Sequence, residues 1–191
     1  MRGEDDYKMK RKISSGAAWI ALSLSVFLLA GCSERNVTIE NGTPDIKQMV
    51  QDYSSGKMTN QSASITSRQL IVTNNNEKKV SYDLPENDFF VSIAPYIEET
   101  HPCAIHSLTG CRGEMAEKEF SVYIEDIEGK LILDQKLKSQ TNGFIDMWLP
   151  RDNKYHITIV HEGKTAVSEF STFDGDNTCI TTIQLTENKS A

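Results

Sequence analysis

Apolar residues first follow the spacing of a short helix. The stretch PDIKQMVQDYSSG has four apolar residues at helical spacing: Ile46, Met49, Val50 and Tyr53. Pro44 suits a first helical turn and Gly56 suits the position just after a helix. We therefore predict one short amphipathic helix. The next residues, 57–67 (KMTNQSASITS), are polar without periodicity, and we expect a loop there.

The pattern then changes to the alternation of β-strands. Runs at 69–73 and 79–83 flank an Asn-Asn-Asn turn, which favours a hairpin. The apolar run FFVSIAPYI predicts a further strand, which Pro95 limits.

Alternation is clearest in the last third of the chain. EFSVYIEDIEGKLILDQKL alternates on both sides of Glu128-Gly129, which predicts a hairpin. Three more strands follow, with turns at 152–153 and 162–163, and CITTIQL is interpreted as a closing strand. Short strands bounded by turn residues indicate a β-sandwich.

These elements predict a mainly β fold with a small α+β part. We assign residues 44–97 to an N-terminal α+β unit, 98–116 to a loop rich in Cys and His, and 117–187 to an antiparallel β-sandwich. A sandwich of about 70 residues has a small core. A disulfide, a metal or a dimer partner would add stability.

The N-terminus has the features of a secreted lipoprotein. A basic cluster precedes the uncharged run AAWIALSLSVFLLA, which ends in LLAGC, a lipobox. The run is short for a membrane span, which needs about 20 apolar residues. We predict a signal peptide at 1–31, a lipid anchor on Cys32 and a tether at 32–43; an uncleaved signal anchor is the alternative. The acidic start, MRGEDDY, leaves Met9 as an alternative initiator.

Charge limits the partners of the exported chain. The net charge is −7, and removing the leader, with five basic and three acidic residues, gives −9. An acidic protein binds nucleic acids and anionic membranes poorly, so we expect no nucleic-acid partner. The lipid at Cys32 would hold the protein in the cell envelope, on the outer face of the cytoplasmic membrane or on an outer membrane.

The loop HPCAIHSLTGC concentrates the candidate chemistry. It has the spacing H-x-C-x2-H-x4-C and includes His101, Cys103, His106 and Cys111. Thiolates and imidazoles suit copper(I) or zinc rather than calcium or magnesium. With Cys179 from the closing strand, the loop would form a three-sulfur copper(I) site completed by either histidine.

A structural interpretation of the cysteines remains open. Outside the cytoplasm, Cys103–Cys111 or Cys111–Cys179 could pair as a disulfide, leaving one idle thiol. The chain would then be a stapled structural or adhesion module without a metal. A thiol–disulfide oxidoreductase is less favoured because the sequence lacks C-x-x-C. No nucleophile–base–acid set indicates a hydrolase.

Three segments together resemble the CueP-type copper-binding proteins of the bacterial cell envelope. They are VSIAPYIEETHPCAIHSLTGCRGEM, NGFIDMWLPRDNKY and FSTFDGDNTCITTIQL. The resemblance implies metal-site roles for five residues: Cys103, Cys111, Cys179, His106 and His101. It also implies copper tolerance, copper delivery to a client metalloprotein, two domains and a homodimer. The lipobox departs from the family pattern, in which the protein is exported in soluble form. It favours a protein that acts locally at the membrane. Cysteine thiols that hold copper(I) would also be able to reduce copper(II).

Overall fold

The computed structural model describes residues 45–187, so the predicted signal peptide, Met9, Cys32 and the tether lie outside the described residues. The described residues all belong to one compact unit. None of their helices is long and apolar enough to cross a bilayer. Their elements are α1 (Ile46–Ser54), β1 (Gln61–Ile65), β2 (Gln69–Asn74), β3 (Lys79–Asp83), β4 (Asp88–Ile93), β5 (His106–Ser107), β6 (Glu119–Asp126), β7 (Leu131–Lys138), β8 (Ile145–Pro150), β9 (Lys154–His161), β10 (Lys164–Ser171), β11 (Cys179–Ile180) and β12 (Thr186–Glu187).

Helix α1 forms where the sequence predicts it. The side chain of Asp45 caps it by accepting a hydrogen bond from the backbone N–H of Gln48 at 3.1 Å. Val50 and Tyr53 are buried, and Gly56 follows the helix with φ of 75°. The apolar face of α1 thus packs on the protein while the polar face meets solvent.

The strands form three sheets, which confirms the predicted mainly β fold. The strand orders are β3-β2-β1-β5, β12-β10-β9-β6-β7 and β11-β4-β8. Neighbouring strands are antiparallel, except that β11 runs parallel to β4. The predicted hairpins at 69–83 and 119–138 are present, as β2–β3 and β6–β7.

The prediction of a loop at residues 57–67 is wrong, because this segment contains β1. Only Ala63 and Ile65 of this strand are fully buried, so its sequence lacks an apolar stripe. Its position is fixed by pairing with β2 on one side and β5 on the other. Tertiary hydrogen bonding thus outweighs a weak local preference.

The closing strand is shorter than its alternation predicts. Only β11 forms a ladder with β4, and a single bridge pairs Gln184 with Tyr96. Ile183 and Leu185 are still buried, so their apolar pattern reflects core packing without a continuous strand.

Strand β4 separates two hydrophobic cores. Successive side chains of a strand point to opposite faces, and almost all of β4 is buried. Phe89, Val91 and Ile93 pack into a core with the five-stranded sheet. Phe90 packs into the second core, with α1, β1, β2 and Leu108. The central sheet therefore joins strands from both segments assigned from the sequence, and the domain boundaries stay a prediction.

Candidate metal centre

The cysteine loop is fixed to the four-stranded sheet by a two-residue strand. In β5, His106 pairs with Ile65 and Ser107 pairs with Ser64. The chain then turns sharply: the backbone N–H of Cys111 donates to the carbonyl of Ser107 at 3.0 Å. This turn returns Cys111 towards Cys103.

Thr178 joins the loop to the segment that holds the third cysteine. Its hydroxyl donates to the carbonyl of Ile65 at 2.6 Å and accepts from the backbone N–H of His106 at 3.0 Å. The backbone N–H groups of Thr178 and Cys179 both donate to the carbonyl of Ala104. Cys179 is thereby placed against the loop although 68 residues separate it from Cys111 in the sequence.

Glu114 links the segments that precede and follow the cysteine loop. The carboxylate of Glu114 accepts from three successive backbone N–H groups, at residues 97–99. Burial alone would raise the pKa of this carboxyl, but the three donors outweigh it and lower the pKa. Gly113 and Gly143 pass so closely that a Cβ on Gly113 would lie 2.8 Å from the carbonyl oxygen of Gly143.

These contacts bring together all five residues predicted from the sequence. The donor atoms of His101, Cys103 and Cys111 lie within 4.8 Å of one another, and so do those of His106, Cys111 and Cys179. Cys111 belongs to both groups. Its Sγ is 3.6 Å from Sγ of Cys103, and all three cysteines are free thiols. The sulfurs therefore form one cluster with an imidazole on each side.

The two histidines differ in their surroundings. His106 is fully buried, and its ring centroid lies 4.5 Å from that of Phe144. Its Nδ1 is 3.4 Å from Sγ of Cys179, whereas Nε2 is buried without a partner among the described residues. His101 is half-buried, with its ring 6.5 Å from Phe144. Packing fixes His106 more firmly than His101.

The cluster stabilises a single thiolate. Hydrogen bonds from Cys179 and then His106, with a smaller contribution from the backbone N–H of Ser107, lower the pKa of Cys111 to about 2. The hydrogen bond to Cys111, followed by burial, raises the pKa of Cys179. Burial is the main cause that raises the pKa of Cys103. An incoming metal would thus meet one thiolate and displace the remaining thiol protons.

Sequence patterns miss the residues that support the cluster. Thr178, Glu114 and Phe144 hold or cover its donors, but each is an ordinary residue in an irregular segment. Only the position of Thr178 next to Cys179 is a hint. The other two histidines, His156 and His161, lie on β9.

The sheets and the sulfur cluster define a β protein with a soft-metal donor set between its strands. The family model of the periplasmic copper-binding protein CueP matches residues 45–184, and the chain belongs to this family. The crystal structure of S.CueP is similar, with 37% identity and a TM-score of 0.70, over 74% of this chain and 88% of that chain. No curated protein matches the chain. The family expected from the sequence is therefore confirmed.

Proposed function

We propose that this protein binds copper(I) through Cys103, Cys111 and Cys179. The observation that carries the proposal is the convergence of three free cysteines, two from one loop and one from a distant segment, with Cys111 shared by two donor groups. Soft sulfur donors favour copper(I) over hard cations. Family membership supports copper as the cargo.

Imidazole nitrogen completes the proposed donor set. Nδ1 of His106 already faces Cys179, so His106 is the better placed auxiliary ligand. His101 lies beside Cys103 and Cys111 in the more accessible group. A metal would enter through this accessible side, because His106 and Cys179 are buried. The same donors would accept zinc in a four-coordinate site, so the test must compare both metals.

The thiols also support reduction of copper(II). Two copper(II) ions would each accept one electron, and the Cys111 thiolate and Cys103, which would lose its thiol proton, would form one disulfide. Their sulfurs are neighbours at 3.6 Å. Reduction removes two of the three sulfur donors, so an external dithiol would have to re-reduce the protein before it binds copper(I) again. Without that partner the reaction is stoichiometric.

The proposed setting is the outer face of a membrane. The lipobox supports a lipid anchor at Cys32, and the signal-like leader supports export. An anchored copper(I) protein would limit copper toxicity there, or pass copper to a client metalloprotein. A homodimer is part of this proposal by resemblance to the family. The N-terminal residue of the mature protein should be a lipid-modified Cys32, which mass spectrometry measures; an unmodified Cys32 would contradict the anchor.

A competition titration tests the copper proposal. The reduced soluble chain, residues 33–191, is titrated with copper(I) against a chromophoric chelator that holds free copper at nanomolar levels, and zinc is titrated in parallel. Each cysteine is replaced by Ser in turn, and His156→Gln serves as a control on a remote strand. Each Cys→Ser change should weaken copper(I) binding by more than the roughly 10–100-fold caused by changes around the ligands.

The outcomes separate the proposal from its alternative. Wild-type affinity in His156→Gln together with losses in all three cysteine variants would support the three-thiol site. If the wild type releases all its copper to the chelator, the cysteines are structural and the chain is an envelope module without a metal. Preference for zinc over copper(I) would also contradict the proposal.

A further inference from the structure

A cavity of about 400 Å³ lies beside the cysteine loop and uses none of the proposed copper ligands. It is bounded by the end of α1, the start of β1, the loop residues Leu108, Thr109 and Arg112, and the segment before β8. Its lining includes Gln61, Thr109, Arg112 and Asn142.

The charge of the lining is unusual for this protein. The chain has 27 acidic and 20 basic residues. Among the described residues that line the cavity, however, Arg112 is the single charged residue and there is no carboxylate. Most of the other lining groups are hydroxyls and amides. Such a surface repels no anion, and Arg112 attracts one.

Asn142 forms part of this wall and carries a buried hydrogen-bond donor. The residue is 5% exposed. Its side-chain oxygen accepts from the backbone N–H of Phe144 at 3.0 Å, and its backbone carbonyl accepts from Gly113 at 2.7 Å. The side-chain Nδ2 is buried and has no partner among the described residues. A buried N–H without an acceptor is costly, so a ligand oxygen there would remove a penalty.

Arg112 is held in place at the cavity. Its Nη1 donates to the carbonyls of Thr109 at 3.2 Å and Cys111 at 2.7 Å. The side chain is exposed, and its remaining N–H groups make no hydrogen bond with the described residues. Guanidinium N–H groups in this arrangement match the two oxygens of a carboxylate.

We propose that this cavity binds a carboxylate, held by the free N–H groups of Arg112 and by Nδ2 of Asn142 after a small side-chain movement exposes that atom to the cavity. A single cation suits the single charge of a carboxylate better than the double charge of phosphate. Leu108 and Met58 contribute apolar surface for the carbon end of the ligand. The carboxylate belongs to a free small acid or to the C-terminus of a peptide. The site is separate from the proposed copper chemistry and does not depend on it.

Amide chemical shifts of the purified, reduced, copper-free chain test the site. Acetate is titrated at constant ionic strength, beside Ala-Ala, Ala-Ala amide and inorganic phosphate. Amides around Thr109, Arg112 and Phe144 should shift and saturate. Arg112→Gln and Asn142→Asp should each weaken binding about tenfold, the loss expected for one charge-assisted hydrogen bond. Arg68→Gln, which removes another exposed arginine, should bind like the wild type.

Each arm of the experiment decides a point. Saturation with Ala-Ala but not its amide identifies a peptide terminus, whereas saturation with acetate alone identifies a small acid; both support the site. Shifts that grow linearly without saturation, equal weakening in Arg68→Gln, or tighter binding of phosphate would overturn the proposal. Arg112 is exposed, so its variant remains informative if Asn142→Asp does not fold.

Discussion

Replacing Thr178 by Val should destabilise the protein and loosen the proposed metal site together. Valine has nearly the shape of threonine but lacks the hydroxyl that donates to Ile65 and accepts from His106. Thr178 is 1% exposed, so water cannot replace these bonds. One buried carbonyl and one buried N–H lose a partner at about 1–3 kcal/mol each, so the free energy of unfolding should fall by about 2–6 kcal/mol.

Urea denaturation of the reduced, copper-free protein measures this change. Thr172→Val is a matched control: Thr172 is also buried, and its hydroxyl donates to Pro150 and accepts from Asn153. Both variants should lose stability, but only Thr178→Val should weaken copper(I) binding, because Thr178 fixes the backbone of His106. A loss of stability below about 0.5 kcal/mol in Thr178→Val would refute this reasoning, and so would equal copper affinity in the two variants.

Three further predictions concern the loop. Gly143→Ala should lower the melting temperature, since φ of 83° disfavours a side chain and a Cβ would collide with the backbone of Gly113; an unchanged value would contradict the close approach. Cys111 should still react with iodoacetamide at pH 5, because its pKa of about 2 keeps it a thiolate. Cys103, with its raised pKa, should not react at that pH. Parallel pH profiles of the two reaction rates would refute the assignment of the thiolate to Cys111. Glu114→Gln should speed hydrogen exchange of the three backbone amides that donate to Glu114. In the wild type these amides should lose the same protection as the pH falls through the lowered pKa of Glu114. Equal protection of the amides in both proteins at pH 7 would contradict this role.

The sequence predicts the elements whose side chains alternate strongly. β6 and β9 have alternating buried residues, and α1 has an apolar face, so local spacing is sufficient for them. β1 is missed because its residues are small and polar, and β5 because two residues make no pattern. They are strands because β1 pairs with both β2 and β5.

The site is predictable in its chemistry but not in its support. The density of Cys and His in one loop, together with the family resemblance, indicates the donors. Sequence spacing does not indicate that Thr178 bridges Ile65 and His106, because those contacts span 113 and 72 residues. Nor does it indicate which sulfur is ionised, since the low pKa of Cys111 depends on donors that only the fold brings together.

X-ray absorption at the copper edge of the copper(I)-loaded protein tests the central claim most directly. We predict a copper(I) edge with scattering from three sulfur atoms and from imidazole nitrogen. Cys179→Ser should leave two sulfur atoms, and His156→Gln should give the wild-type spectrum. A first shell made only of nitrogen and oxygen, or a sulfur count that Cys179→Ser does not change, would contradict the three-thiol site.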